Sequence, residues 1–399
     1  MRTYMRIAIV TTHPPSKGSL NEYAYHFVRF LRLKVENVSE LILLVDELPE
    51  GQTYSELQEV GSMPVSFIQC WKFGAMNNLF RIRDTVRQVN PDIVLFNIQF
   101  ASFADKKIPA TLGLLTPWLV KRTGYHTVVL LHNIVETVNL KSAGFGGNPI
   151  MENLIRLFGN IVTRFILSAD LVAVTIPKYV EILEEKYGAK NVILAPHGTF
   201  EEPTDIQPNT MPGGAPKIMT FGKFGTYKKV EILAEAFEIL LPTHPDACLV
   251  IAGTDSPNMK GYLDGVKARF AHLKNLHFTG YVSEEEVPRI FGEAWVVVFP
   301  YTSTTGSSGV LHQAGGYGKA VVLPKLGDLA ELVLEEGYDG EFFEPTDSKS
   351  LADAISRVID YPDRQLEIGS RNFLAANGLP INDVVDWYVI HFQELLKRK

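Results

Sequence analysis

Short apolar runs alternate with helix-period segments along this chain, and the alternation breaks only at residues 199–216 before resuming. Before the break, the strand-like runs are Met5–Thr12, Leu41–Asp46, Val65–Cys70, Asp92–Ile98, Val128–Leu131, Leu171–Thr175 and Val192–Leu194. Helical patterns at Leu20–Leu33, Asn77–Val89, Pro109–Lys121, Pro149–Leu167 and Pro177–Tyr187 lie among them. The break, TFEEPTDIQPNTMPGGAP, has four prolines, two adjacent glycines and no hydrophobic period, which predicts a linker. After it come strands at Lys217–Phe221, Ala247–Ala252, Leu276–Thr279, Ala294–Phe299, Ala320–Leu323 and Glu341–Phe343. Helices are predicted at Val230–Leu241, Met259–Leu273, Ser283–Glu293, Val310–Tyr317, Gly327–Glu335, Ser348–Ile359 and Asn382–Leu396. Ser283 is expected to cap its helix, with Glu284, Glu285 and Glu286 complementing the dipole in the first turn. Strand–helix alternation in both blocks predicts an α/β chain with two Rossmann-like, doubly wound parallel sheets.

At 399 residues the chain exceeds one ordinary core, which fits two domains. The expected division is 1–205, joined by a returning C-terminal helix at 380–399, and 206–379. A net charge of −7 supplies no basic field for nucleic acid. Cys70 and Cys248 are far apart in apolar runs and read as buried, reduced thiols. The start MRTYMRIAIVTTHPP lacks a signal-peptide core, and no apolar run approaches the ~20 residues of a membrane span. These features predict a cytoplasmic protein. The histidines show no metal-ligand spacing.

In a doubly wound sheet, ligands sit outside the carboxyl ends of the strands. The loops at Gly18, His132, His197, Gly222, Gly253 and Pro300 therefore matter most. In Pro300–Lys325 an apolar strand gives way to a Thr/Ser/Gly loop and then a helix. Backbone N–H groups at such a turn suit a phosphate or sugar hydroxyl, though any strand–loop–helix unit needs a turn.

The pieces FGKFGTYKKVEILAEAF, LVIAGTD, FTGYVSEEEV and VVFPYTSTTGSSGVLHQAGGYGKAVVLPKLGDLAEL, in this order, resemble the retaining, nucleotide-sugar-dependent glycosyltransferases of the GT-B fold, family 4. The resemblance implies two Rossmann-like domains facing a cleft that holds the donor. It places Lys223 and Lys228 on the donor diphosphate, where fixed cations stabilise the departing phosphate. Surface loops also carry lysines without such a role. Gly18, Gly222 and Gly253 fall in donor-side turns, and Gly18 also reads as an ordinary turn. The family's two glutamates, eight positions apart, correspond here to Thr305 and Gln313. Gln313 can still hydrogen-bond a ribose, while Thr305 cannot replace a carboxylate. The amides of Ser307, Ser308, Gly309 and Val310 remain available to sugar hydroxyls or pyrophosphate. His132 stands where the family has a catalytic-domain histidine, followed here by Asn133 rather than Asp; a strand-end histidine with only structural partners fits as well. Pro196-His197-Gly198 resembles the turn entering the interdomain region.

The implied function is metal-independent transfer of a sugar, with retention, from a nucleoside-diphosphate sugar to a hydroxyl on a glycan or lipid-linked acceptor. No Asp-x-Asp pair offers a metal site, and lysines would replace the metal. No cofactor and no nucleic-acid partner are expected. Polysaccharide biosynthesis is the setting common in the family. Lys106-Lys107 and Lys121-Arg122 flank the apolar run Ile108–Val120, a pattern that suits peripheral contact with the inner face of an anionic membrane and equally a core helix with solvated ends. Thr305 and Gln313 motivate an alternative: an inactive sugar-nucleotide-binding subunit. An epimerase on the same fold would need acid/base carboxylates that the loops do not offer.

Overall fold

A computed structural model describes residues 4–54, 63–137, 149–200, 210–256, 259–283, 285–303 and 308–398. The chain divides into two compact units: one built from the residues up to His197 with Ile381–Lys399, the other mainly Gly198–Pro380.

In the first unit the strands are β1 (Met5–Val10), β2 (Val38–Asp46), β3 (Val65–Trp71), β4 (Ile93–Ile98), β5 (His126–Leu131), β6 (Leu171–Val174) and β7 (Val192–Leu194). They form one sheet in the order β3-β2-β1-β4-β5-β6-β7, every pair parallel. All six residues of β4 are buried, because parallel strands carry helices on both faces. The helix Ile381–Lys397 packs on Asn21–Leu31 through Phe27 and Tyr388. It is pinned by Lys34 to Asp386 at 2.6 Å and by Gln393 to Asn37 at 2.6 Å.

In the second unit, β8 (Lys217–Phe224), β9 (Cys248–Asp255), β10 (Leu276–Gly280), β11 (Val296–Val298), β12 (Ala320–Pro324) and β13 (Glu341–Phe343) form a parallel sheet in the order β10-β9-β8-β11-β12-β13. Successive residues face opposite layers. Ile218, Val296, Val298 and Val322 join one apolar cluster; Met219, Val297, Val321 and Leu323 join the other. Each fully buried side chain of this kind contributes about 1.5–3 kcal/mol of transfer free energy. The strand order reverses between β1 and β4 in one sheet and between β8 and β11 in the other, which marks the two crevices where a ligand can lie.

Several predicted elements differ. The helix expected over Pro109–Lys121 is two, Lys107–Leu114 and Thr116–Arg122, because Pro117 offers no amide to continue the first. Ser283 is not a cap: the helix starts at Val287, preceded by Glu286, with Pro288 in its first turn. Met259–Leu273 shortens to Tyr262–Arg269, where the Asp255 carboxylate accepts from the Gly261 and Leu263 amides at 2.6 and 2.9 Å. Cys248 is only half-buried, since it opens β9, whereas Cys70 is buried. Residues 201–209 of the expected linker lie outside the described residues. Among the described residues, no helix is long and apolar enough to cross a membrane.

The helix Pro362–Asn377 was not foreseen. Its buried face mixes the apolar Ile368 and Ala376, which join the two core clusters, with Gln365, Gly369 and Asn372, which meet backbone. Gln365 donates to the Trp295 carbonyl at 2.7 Å. Asn372 donates to the Lys319 carbonyl at 3.0 Å and accepts from the Asp339 amide at 2.8 Å. A Cβ on Gly369 would come within 2.4 Å of the Gly318 carbonyl oxygen. Asn372→Leu would strand two buried backbone groups, and urea denaturation is expected to register a loss of about 3 kcal/mol.

Candidate functional site

The site residues of the second unit gather around the end of β8. The sequence placed Gly222 and Lys223 in a loop, but β8 and β9 pair through eight residues and carry both, together with Gly253, inside the ladder. Gly222 and Gly253 face each other there, with φ of +135° and +137°. A Cβ on Gly253 would sit 1.9 Å from the Gly222 carbonyl oxygen, so only glycine fits.

Lys228 folds back over this glycine pair: a Cβ on Gly222 would lie 2.7 Å from its Nζ. The ammonium is 4.9 Å from the Tyr301 ring centroid and 5.9 Å from that of Tyr227, within cation–π range. The backbone holds the arrangement. Lys228 and Tyr301 form an antiparallel bridge, the Gly225 amide donates to the Lys228 carbonyl at 3.0 Å, and the Thr302 amide donates to the Tyr227 carbonyl at 2.8 Å. Among the described residues no carboxylate lies within 4.0 Å of Lys228 Nζ. The result is a half-buried cation, aimed by aromatic faces at the strand end. Lys223 is exposed at the end of the same strand.

The helix Gly309–Gly316 follows the 300–308 connection. Its Leu311 and His312 amides return to the Ser308 carbonyl at 2.8 and 3.3 Å. The first-turn amides of Gly309 and Val310 have no earlier carbonyl within the helix to reach. Gln313 is buried. Thr305 and Ser307 lie outside the described residues. Beneath the helix is a group the sequence reading missed. His312 Nδ1 is 2.8 Å from the Tyr338 hydroxyl, and His312 Nε2 is 3.7 Å from Glu336. Burial, reinforced by the neighbouring Glu335, pushes the Glu336 carboxyl up to about 8.

In the first unit, His132 follows β5 and is buried. Its Nε2 is 2.7 Å from Asn97 Oδ1, and Asn97 Nδ2 donates to Thr11 Oγ1 at 3.0 Å. Tyr23 makes T-shaped contacts with both His132 and His197, with centroids 4.7 and 4.9 Å away. Gly18 lies against Thr12, where a Cβ would approach Thr12 Cγ2 to 2.4 Å, and its amide donates to Ser16 Oγ at 3.1 Å. Ser16 in turn donates to Asp46 at 2.6 Å. Gly18 is thus a packing requirement of the turn. Asn97 and Thr11 read in sequence only as the ends of apolar runs, so their partnership with His132 was not visible there.

Residues 215–361 match the model for glycosyl transferases group 1. The chain is 24% identical over 263 residues to O-antigen chain mannosyltransferase C of Escherichia coli, a match covering 62% of this chain and 67% of that protein. Sucrose-phosphate synthase from Thermosynechococcus elongatus superposes with a TM-score of 0.75 at 16% identity, over 98% of this chain and 99% of that one. HepE of Anabaena, in complex with UDP and glucose, superposes with a TM-score of 0.67 at 17% identity, over 98% and 100%. The fold is GT-B. Within this GT-B chain, the matched glycosyl transferases group 1 segment holds Gly222, Lys223, Lys228, Gly253 and the helix Gly309–Gly316.

Burial holds the His132 imidazole down to about 3, with His197 a smaller contribution in the same direction. His26, half-buried, is likewise lowered to about 3, by desolvation first and then by Arg29 and His197. The folded state therefore keeps both rings neutral while the unfolded chain protonates them below about 6.5. Their contribution to stability is complete above pH 6.5 and is lost as pH falls toward 3. Urea midpoints followed from pH 7 to 4 should fall, and His132→Gln should flatten that slope by up to one proton.

Proposed function

We propose that this GT-B protein transfers a sugar from a nucleoside-diphosphate sugar to a hydroxyl acceptor, a glycan or lipid-linked saccharide, with retention and without a metal. The observation that carries the reading is Lys228, a cation held by Tyr301 and Tyr227 over the Gly222–Gly253 pair at the reversal point of the second sheet. A diphosphate placed there would meet that ammonium, the exposed Lys223 and the amides of Gly309 and Val310. The match to the glycosyl transferases group 1 model over the same residues, and a structural neighbour in complex with UDP and glucose, support the choice of donor.

In the proposed reaction the bond from the anomeric carbon to the phosphate oxygen breaks, and its electron pair stays on that oxygen. The acceptor oxygen bonds to the anomeric carbon on the same face, and its proton passes to the departing phosphate. Negative charge grows on the phosphate as the bond breaks, so fixed cations stabilise the transition state more than the bound donor. Gln313 and Thr305, standing where the resemblance places carboxylates, favour one second reading: a sugar-nucleotide-binding subunit without turnover.

A panel of UDP-, GDP- and ADP-sugars, with nucleotide release followed with and without acceptor extract, separates the two. Release with at least one donor is expected; binding without release across the panel would establish the second reading. By calorimetry, Lys228→Ala should weaken nucleoside-diphosphate binding by about tenfold or more, equivalent to about 1.4 kcal/mol. Gly222→Ala should act in the same direction, because its Cβ would occupy the place of Nζ.

We also propose peripheral contact of the first unit with an anionic membrane. Ile108 is exposed beside the exposed Lys106 and Lys107. The rest of the apolar run turns inward at Leu114 and Val120, and Trp118 packs on Phe165 and under Arg122. Cosedimentation with vesicles containing anionic lipid, weakened by salt and by Ile108→Glu, is the expected outcome. Equal recovery with neutral vesicles would contradict it.

A further inference from the structure

The hydrogen bonds that hold His132 have a direction. Thr11 Oγ1 donates to the Thr12 carbonyl at 2.9 Å. A hydroxyl has one proton, so toward Asn97 it can only accept. Asn97 accordingly presents Nδ2 to Thr11 at 3.0 Å and turns Oδ1 to His132 Nε2 at 2.7 Å. A carboxamide oxygen only accepts, so Nε2 must carry the ring's proton. All three residues are buried.

We propose that Thr11 and Asn97 are positioning residues that lock His132 in its Nε2–H tautomer, leaving the Nδ1 lone pair to accept a hydroxyl proton of the sugar or acceptor. The proposal rests on the transferase reading above. The relay crosses three neighbouring strands at their carboxyl ends: Thr11 follows β1, Asn97 is in β4 and His132 follows β5. It starts at the reversal point of this sheet, where a ligand has room. Among the described residues Nδ1 has no hydrogen-bond partner.

A neutral ring is required for the lock to matter, and burial supplies it. A neutral imidazole has one donor and one acceptor nitrogen, and the partner of one decides the role of the other. An amide partner fixes the tautomer without adding charge. His132 is then an acceptor toward substrate rather than a cation beside a centre that becomes positive during transfer.

The test uses the full chain with 15N-labelled histidine, the His132 signals assigned by comparison with His132→Gln. At neutral pH the native ring should show a protonated Nε2 and an unprotonated Nδ1. Asn97→Leu removes the acceptor, and Thr11→Val removes the anchor at constant shape. Each should shift the ring toward Nδ1–H or a mixture. In donor turnover with acceptor, both should lower kcat by about tenfold or more, as loss of an orienting partner does. The donor KM should change by less than about threefold. Asn97→Asp keeps an acceptor at Nε2 but adds a charge that raises the ring's pKa; it should hold Nε2–H and recover kcat relative to Asn97→Leu only at pH values where the ring is neutral. An Nδ1–H ring in the native chain, or the native tautomer surviving in both Asn97→Leu and Thr11→Val, would overturn the relay. Equal kcat losses in Asn97→Leu and Asn97→Asp at a pH where the nitrogen signals show a neutral ring in the Asp variant would also overturn it and reduce Asn97 to packing. Absence of turnover by the native chain would instead sink the transferase reading, and the nitrogen signals would still decide the tautomer.

Discussion

The pairing of β8 with β9 sets the geometry on which the second unit's chemistry depends. Eight consecutive residues pair in parallel, and the last part of the ladder contains two glycines face to face. A side chain on Gly253 would collide with backbone, which cannot give way as a flexible side chain can. The gap is therefore a fixed feature of the sheet. Lys228 uses it: its ammonium lies across the glycine pair, and two tyrosine faces hold it there without neutralising its charge. A carboxylate partner would have satisfied the lysine and spent its positive field. Aromatic faces leave the field directed outward.

The first unit handles polar groups at its strand ends differently. His132, Asn97, Thr11 and His197 are all buried, and dispersed charge is kept out. The His132 imidazole is neutral because burial penalises its cation and His197 acts in the same direction. Order there comes from directional hydrogen bonds, in which each donor determines the role of the next group. One unit presents charge and the other presents oriented neutral dipoles. Both devices sit at a reversal of strand order, the place where ligands bind in sheets of this kind.

The strands were legible because parallel sheets buried on both faces need uninterrupted apolar runs; β4, with all six residues buried, is a direct case. Helices with an apolar stripe, such as Ser348–Ile359, were legible for the same reason. Pro362–Asn377 was not, because Gln365, Gly369 and Asn372, which contact backbone, interrupt the apolar stripe that Ile368 and Ala376 begin. Lys228 could be picked out by its place after a glycine turn. Tyr301, which holds it, sits 73 positions later and is joined to it only by tertiary contact. Glu336 and His312 escaped notice because a surface carboxylate and a buried one look identical in sequence.

By itself, the sequence determined two strand–helix blocks and the break in periodicity between them. Those follow from local periodicity and from the special backbone freedom of glycine and proline, which each residue carries wherever it is placed. The tertiary structure decided which loop residues meet. It set Gly222 against Gly253, folded Lys228 onto Tyr301, and ran a hydrogen-bond relay from Thr11 through Asn97 to His132. These depend on strand register and strand order, and register is fixed only when distant segments pack into one sheet.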